Sequence, residues 1–189
     1  MSCFFDCDMF SQYSNVLPYP AVIVSEPNSL YATLISGAYA GEGSETTAIA
    51  QYASHRYFTA AYPDVYEAYK YIAFVEMIHF SLLGDLIQRL GCAPLIGSYE
   101  TNQYWNGSFP AYQYAPKDIL EADIEGEHAA IAHYNRLISQ IDDPSFQALF
   151  ARIILDEEKH IEVLSRLYQT QRRQYNHKSS EAPPPSSLR

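Results

Sequence analysis

Basic residues are scarce in this chain. Twelve lysines and arginines stand against 22 aspartates and glutamates, for a formal net charge of −10 and a pI near 4.9. Nothing positive is clustered to track a phosphate backbone, which argues against a nucleic-acid binder. Cysteine is scarcer still. Cys3, Cys7 and Cys92 make no even disulfide framework, so free thiols in a reducing cytoplasm are expected, with a metal clip by Cys3 and Cys7 as the alternative. A basic start followed by an apolar run is missing, so no signal peptide is expected. No stretch reads as long and apolar enough to span a bilayer, so no membrane partner is expected. Charged residues amount to only 18% against 48% hydrophobic, and 189 residues suffice for one globular domain with a substantial core. The acid that dominates the charge suits attraction of metal cations.

Helical periodicity organises the rest. Residues 1–27 read as an N-terminal arm punctuated by Pro18, Pro20 and Pro27, with Ala21 to Val24 extended against the body. Asn28 or Ser29 offers an N-cap. A helix is then expected to about Phe58, with Leu30, Leu34, Ala38, Ala48, Ile49 and Tyr52 near one stripe. Gly37, Gly41 and Gly43 weaken it locally and mark close packing or a kink. Pro63 and Asp64 open a second helix that stops at Gly91 before Pro94. Residues 92–115 form a long connection rich in aromatics, among them Tyr99, Tyr104, Trp105, Phe109, Tyr112 and Tyr114; it is expected to lie along the body and cover apolar surface. Pro116 and Asp118 start a third helix that ends near Ile141. Asp143 and Pro144 start a fourth, which carries Phe146, Leu149, Phe150, Ile153, Ile154 and Leu164 and fades near Tyr175. Residues 176–189 read as a disordered Pro-rich tail. Short connections between helices one and two and between three and four, with a long crossover between, predict an all-α four-helix bundle over residues 28–175, running up-down-down-up.

One spacing occurs twice. Glu157 and His160 stand three residues apart, on one face of the fourth helix, and Glu76 and His79 repeat this on the second. Each pair is preceded by a matching segment: Glu45 with Ala48-Ile49-Ala50 and Tyr52, and Glu127 with Ala130-Ile131-Ala132 and Tyr134. Glu45 precedes Glu76 by 31 residues, and Glu127 precedes Glu157 by 30. Each of the four glutamates lies about fifteen residues from its hairpin turn, so equal helical rise brings each pair to one level near mid-bundle. Four buried carboxylates without partners are prohibitive. Two divalent cations would neutralise them, and the two imidazoles would complete a mixed oxygen and nitrogen shell suited to iron or manganese. The expected metal ligands are therefore Glu45, Glu76, His79, Glu127, Glu157 and His160. This is the established pattern of di-iron and di-manganese carboxylate bundles, one Glu from each of two helices and a Glu-x-x-His from each of the others.

On these residues the chain resembles the ferritin-like superfamily, with features of bacterioferritin-type and manganese-catalase-like domains. Asp156 to Ile161 is similar to the fourth-helix motif of bacterioferritins, and Glu76 to His79 to that of the second. The resemblance covers roughly residues 28–172. It implies that Glu45 and Glu127 are terminal ligands, that Glu76 and Glu157 bridge, and that His79 and His160 each bind one metal. Two departures matter. No fifth helix follows the fourth, which argues against a 24-subunit storage shell, and no methionine pattern marks a haem site.

Tyr52 and Tyr134 follow the first glutamate of each repeat by seven residues, and their side chains lean back toward it. Each is a candidate to hydrogen-bond a ligand or to donate one electron (Tyr52 the stronger catalytic candidate), with a plain core tyrosine as the alternative. Asp156 is expected either to accept the second N–H of a ligating histidine or to be a solvated acid. Glu42, Glu121 and Glu125 read as exposed helix charges, with a metal entry path as the alternative. His55, His128, His133 and His177 read as structural or solvent-facing. Ser187-Leu188-Arg189 resembles the tails that dock ferritin-like cargo in protein shells, against a plain disordered tail. The chemistry implied is a di-iron or di-manganese site reacting with dioxygen or hydrogen peroxide, of ferroxidase or peroxidase type, in a homo-oligomer. Manganese catalase, a metal-sequestering or structural assembly protein, and an inactive bundle that binds no metal are the alternatives.

Overall fold

The structure, a computed structural model, describes residues 7–180 and the side chains of residues 9–173. Cys3, the Cys7 side chain, the His177 side chain and the tail from residue 181, with its docking motif, lie outside that description. The helices are α1 (Cys7–Phe10), α2 (Ser29–Ala40), α3 (Glu45–Phe58), α4 (Pro63–Arg89), α5 (Pro116–Gln140) and α6 (Pro144–Ser180), with a two-stranded ribbon, β1 (Gly97–Ser98) and β2 (Gln103–Tyr104), inside the crossover. The strands pair antiparallel, Gly97 opposite Tyr104. Packed pairwise, α3 on α4 and α5 on α6, they form two hairpins, as the short connections require.

The helix expected to run unbroken to Phe58 is in fact two. Gly41 takes an extended conformation at the end of α2, and Ser44 starts α3 by accepting from the Thr47 N–H. A Cβ at Gly41 would stand 2.6 Å from the Gly37 carbonyl oxygen, so only glycine lets the chain turn there. The Thr46 and Thr47 hydroxyls donate to the carbonyls of Tyr39 and Gly41, which satisfies backbone groups that the break leaves open. The break makes Glu45 the first residue of α3, where the helix dipole favours a negative charge.

The other boundaries follow the sequence signals. Gly91 sits at φ +88, and the N–H groups of Gly91 and Cys92 close onto the carbonyls of Gln88 and Ile87, a Schellman stop. The Asp143 carboxylate accepts from the N–H groups of Ser145 and Phe146 and starts α6. That helix runs on to Ser180 instead of fading near Tyr175.

One expectation is corrected. α4, at 27 residues, is long and apolar enough to cross a bilayer by length and composition alone. One face of it, with Val65, Tyr69, Ile72, Val75, Leu83 and Leu86, is buried in the core of the bundle and also carries Glu76 and His79, while Phe74 and Met77 are exposed.

The core is two apolar layers with polar groups between them. One gathers Ile35, Leu83, Leu86, Leu137, Phe146, Phe150 and Ile153; the other gathers Val65, Tyr69, Ile72, Ile119, Leu120, Val163 and Leu164. On α4 and α6 alike, the Glu-x-x-His segment falls between the residues of the two layers. The arm is fixed to this body: Tyr13 stacks on Tyr71 with centroids 5.1 Å apart. Val22 is 7% exposed and Ile23 74%, the alternation of an extended strand with one face on the core, as expected for Ala21 to Val24.

Candidate metal centre

All six expected ligand residues meet at mid-bundle. Glu45, Glu76, His79 and Glu157 form one buried group and Glu76, Glu127, Glu157 and His160 a second, the ligand atoms of each group lying within 4.8 Å of one another. The geometry is close to two-fold. His79 Nδ1 lies 3.0 Å from Glu76 Oε2, 3.4 Å from Glu157 Oε1 and 3.8 Å from Glu45 Oε2. His160 Nδ1 lies 2.9 Å from Glu76 Oε1, 3.1 Å from Glu157 Oε2 and 3.3 Å from Glu127 Oε1. Glu76 and Glu157 thus each turn one oxygen to either imidazole, while Glu45 and Glu127 each serve one side.

Hydrogen bonding alone leaves this cluster incomplete. Each Nδ1 has at most one proton for three carboxylates. Glu76 Oε1 and Glu157 Oε1, both buried, take no hydrogen bond of acceptable geometry. Protons take up part of the charge. Burial, reinforced by the Glu76 charge, pushes the carboxyls of Glu45 and Glu127 well above the usual range. Burial disfavours charge on both imidazoles, but the surrounding carboxylates, Glu157 first for His79 and Glu76 first for His160, raise them well above the ordinary histidine value. Against the same burial, His160 and His79 hold the Glu76 carboxyl low. Orphaned carboxylate oxygens and two convergent nitrogens are a donor set that fits two divalent ions of the iron or manganese kind.

Tyrosines cross-link the outer carboxylates. The Tyr52 hydroxyl on α3 donates to Glu127 on α5, and the Tyr134 hydroxyl on α5 donates to Glu45 on α3. Both phenols are pushed well above their ordinary value, by burial first and then by the carboxylate each contacts, so they remain protonated donors. Tyr52 also stacks on Tyr69 at 5.7 Å.

Two networks surround the centre, and of these only the bond from a ligating histidine to Asp156 is expected from the sequence. Asp123, one turn before Glu127, accepts from Gln51 (2.6 Å), His55 (2.9 Å) and Tyr69 (2.6 Å). Gln51 Oε1 and His55 Nε2 in turn hold the Ala111 N–H and C=O of the crossover, at 2.6 and 2.8 Å. Its place on the stripe of Glu127 was the one available signal. The second network surrounds Asp156, which is fully buried and no solvated acid. Its carboxylate accepts from His79 Nε2 (3.0 Å), the Tyr19 hydroxyl (2.6 Å), the Ser14 hydroxyl (2.9 Å) and the Asn15 N–H (2.6 Å). Arg152 pairs with it at 2.7 Å and binds the carbonyls of Leu17 and Asn15.

Of the remaining candidates, Glu125 and His128 are exposed, Glu121 is half-buried and pairs with Lys117 and Tyr168, and His55 is structural. Glu42 is exposed at a cavity of about 300 Å³ that reaches Glu45 and Glu127 between α3 and α5. Small residues, Ala48, Ala122, Gly126 and Ala130, open it, and Phe109 and Ala111 of the crossover line its outer side.

A family model described as a ferritin-like domain matches residues 43–173. The chain belongs to the ferritin-like family. No curated protein matches it in sequence. Among solved structures, this ferritin-like chain is similar to a manganese catalase from Anabaena, with a TM-score of 0.75 and 19% identity over 84% of this chain and 80% of that one. It is also similar to a bacterioferritin from Rhodobacter capsulatus, with a TM-score of 0.65 and 22% identity over 86% and 99%. A dodecameric thioferritin from Bacteroides fragilis follows, at 0.61 and 20% over 82% and 91%. At these identities the likeness is one of fold, and it fits the bundle with one long crossover.

Proposed function

We propose that this chain is a di-metal oxidoreductase that holds two iron or two manganese ions and reacts with dioxygen or hydrogen peroxide. The observation that carries this reading is the pair of overlapping carboxylate–imidazole groups that share Glu76 and Glu157. Glu76 and Glu157 would bridge, Glu45 and Glu127 would each bind one ion, and His79 and His160 would each bind one through Nδ1. Metals of this kind supply one-electron redox chemistry toward an oxygen substrate.

The chain supplies the rest. Tyr52 and Tyr134 orient the outer carboxylates, and the apolar layers above and below exclude water, which strengthens every charge interaction inside. The cavity beside Glu45 and Glu127 gives a small oxidant a way in. Tyr52, hydrogen-bonded to Glu127 and stacked on Tyr69, would pass one electron and its proton to the centre. A cytoplasmic, oligomeric protein without haem completes the proposal. The folds it resembles include a manganese catalase and a bacterioferritin with a diiron site, which supports both choices of metal.

The test is elemental analysis of protein purified from its own host, with dioxygen and peroxide turnover measured on the same sample. Manganese with sustained oxygen release from peroxide makes it a catalase; iron with rapid, limited oxidation makes it a ferroxidase or peroxidase. Bound metal with a single turnover points to a store. No metal, even after loading with Fe(II) or Mn(II), overturns the proposal.

A further inference from the structure

The two halves of the centre are related by a sequence repeat, yet their imidazoles are held differently. His79 Nε2 is bound to the buried Asp156 carboxylate at 3.0 Å. His160 Nε2 is equally buried and has no hydrogen-bond partner among the described residues. The repeat explains the difference. Asp156 immediately precedes the Glu-x-x-His of α6, and the matching place on α4 is Val75, a fully buried member of the apolar layer that holds Ile72 and Leu164. The residue that could receive the second N–H of His160 is an aliphatic one.

The consequence for a metal is direct. An ion takes the Nδ1 lone pair, which requires the ring proton to sit on Nε2. On the His79 side that proton has a carboxylate waiting, so the ligating tautomer is fixed and the ring is made a better donor. On the His160 side, Nδ1 is where hydrogen bonding to carboxylates is available. A metal that takes Nδ1 there leaves the ring's one remaining proton on a nitrogen that, among the described residues, faces nothing able to accept it, and a buried unmet donor is unfavourable.

Asp156 is itself held in place by the arm. Ser14, the Asn15 N–H and Tyr19 all donate to it, and Arg152 clamps it while lying 4.3 Å from the centre of the Tyr19 ring. Tyr19 also stands edge-on to the His79 ring at 6.0 Å. Among the described residues, no such clamp is built against His160.

We propose, resting on the di-metal reading above, that the two metal positions are unequal: the N-terminal arm, acting through Asp156, makes the His79 position the tight one and leaves the His160 position exchangeable. Asp156, Tyr19 and Ser14 are positioning residues, and the arm is part of the metal centre.

The test uses the full chain and Mn(II), with Fe(II) as a second probe where Mn(II) does not bind. Crystals of the metal-free protein given one equivalent of Mn(II) are measured for anomalous scattering at each position, and calorimetry follows binding in solution. The expected result is predominant occupancy beside His79 and two binding steps separated by about 10–100-fold, the range typical for loss of an outer partner of a metal-bound histidine. Tyr19→Phe, which keeps the ring and removes one bond to Asp156, is expected to weaken the first step and leave the second unchanged; Asp156→Asn is expected to do so more strongly. A variant that merely loosened the fold would weaken both. Equal occupancy in the unaltered protein, or filling of the His160 position first, overturns the inference and leaves the di-metal reading standing. Failure to bind Mn(II) and Fe(II) at either position overturns that reading and the inference with it.

Discussion

At the scale of single residues, the sharing of Glu76 and Glu157 between two imidazoles makes their loss different in kind from that of their neighbours. Glu76→Gln is expected to remove both metals, because one of its oxygens faces each imidazole. Glu127→Gln, confined to the His160 group, is expected to keep the metal beside His79. Metal per chain, measured after equal loading, separates the two outcomes; equal loss in both variants would contradict the shared geometry. A second residue-scale effect lies off the centre. Burial, with help from Arg136, pushes the His133 imidazole down to about 4. As pH falls below the unfolded value of about 6.5, the unfolded chain takes up a proton that the folded one refuses, so stability falls. The loss continues until the folded group itself titrates near 4, and reaches up to about 3 kcal/mol at 1.36 kcal/mol per unit. His133→Gln is expected to flatten the decline between these two values in urea unfolding, with little change above pH 7.

At the scale of elements, what could be read ahead was what rests on helical rise. The six centre residues were legible because two repeats of nearly equal length put them at equal distances from their turns. The interruption between α2 and α3 was half legible: Gly41 and Gly43 marked a weak place, but the Ser44 cap that restarts the chain was hidden inside a pattern that continued the stripe. That restart sets Glu45 at a helix N-terminus, so the break and the centre are linked. Gly41→Ala would drive a methyl group to within 2.6 Å of the Gly37 oxygen. A cost of about 1–3 kcal/mol is expected, read as a fall in Tm of roughly 2–4 °C per kcal/mol for a domain of this size, with reduced metal occupancy on the Glu45 side. Ser44→Ala is expected to cost about 1 kcal/mol and to shift Glu45 less. An unchanged Tm in Gly41→Ala would mean that the backbone relaxes without strain.

At the scale of the whole molecule, the contacts that no periodicity announces are those made by irregular chain to a distant helix. Ser14 and Asp156 are 142 residues apart, and neither lies in a pattern that points to the other. The same holds for the crossover. Its aromatics suggested a cover, and in part they are one, yet Tyr104 and Tyr114 are largely exposed and the segment is fixed by polar bonds. Trp105 donates to the Thr47 hydroxyl at 2.9 Å, and Ala111 is held on both its N–H and C=O by Gln51 and His55. Those two side chains end on Asp123, one turn from Glu127, so the crossover and the centre share a buried polar node. Gln51→Ala removes the acceptor of the Ala111 N–H and one donor to Asp123. The amide of Ala111 is therefore expected to lose most of its protection from hydrogen exchange, while core amides of α5 and α6 keep theirs. Trp105, the single tryptophan of the chain, is expected to shift its emission to the red as the segment loosens over the cavity. Protection retained at Ala111 would mean that His55 alone fixes the crossover. Loss spread evenly through α5 and α6 would mean that the crossover, Asp123 and the bundle open as one cooperative unit.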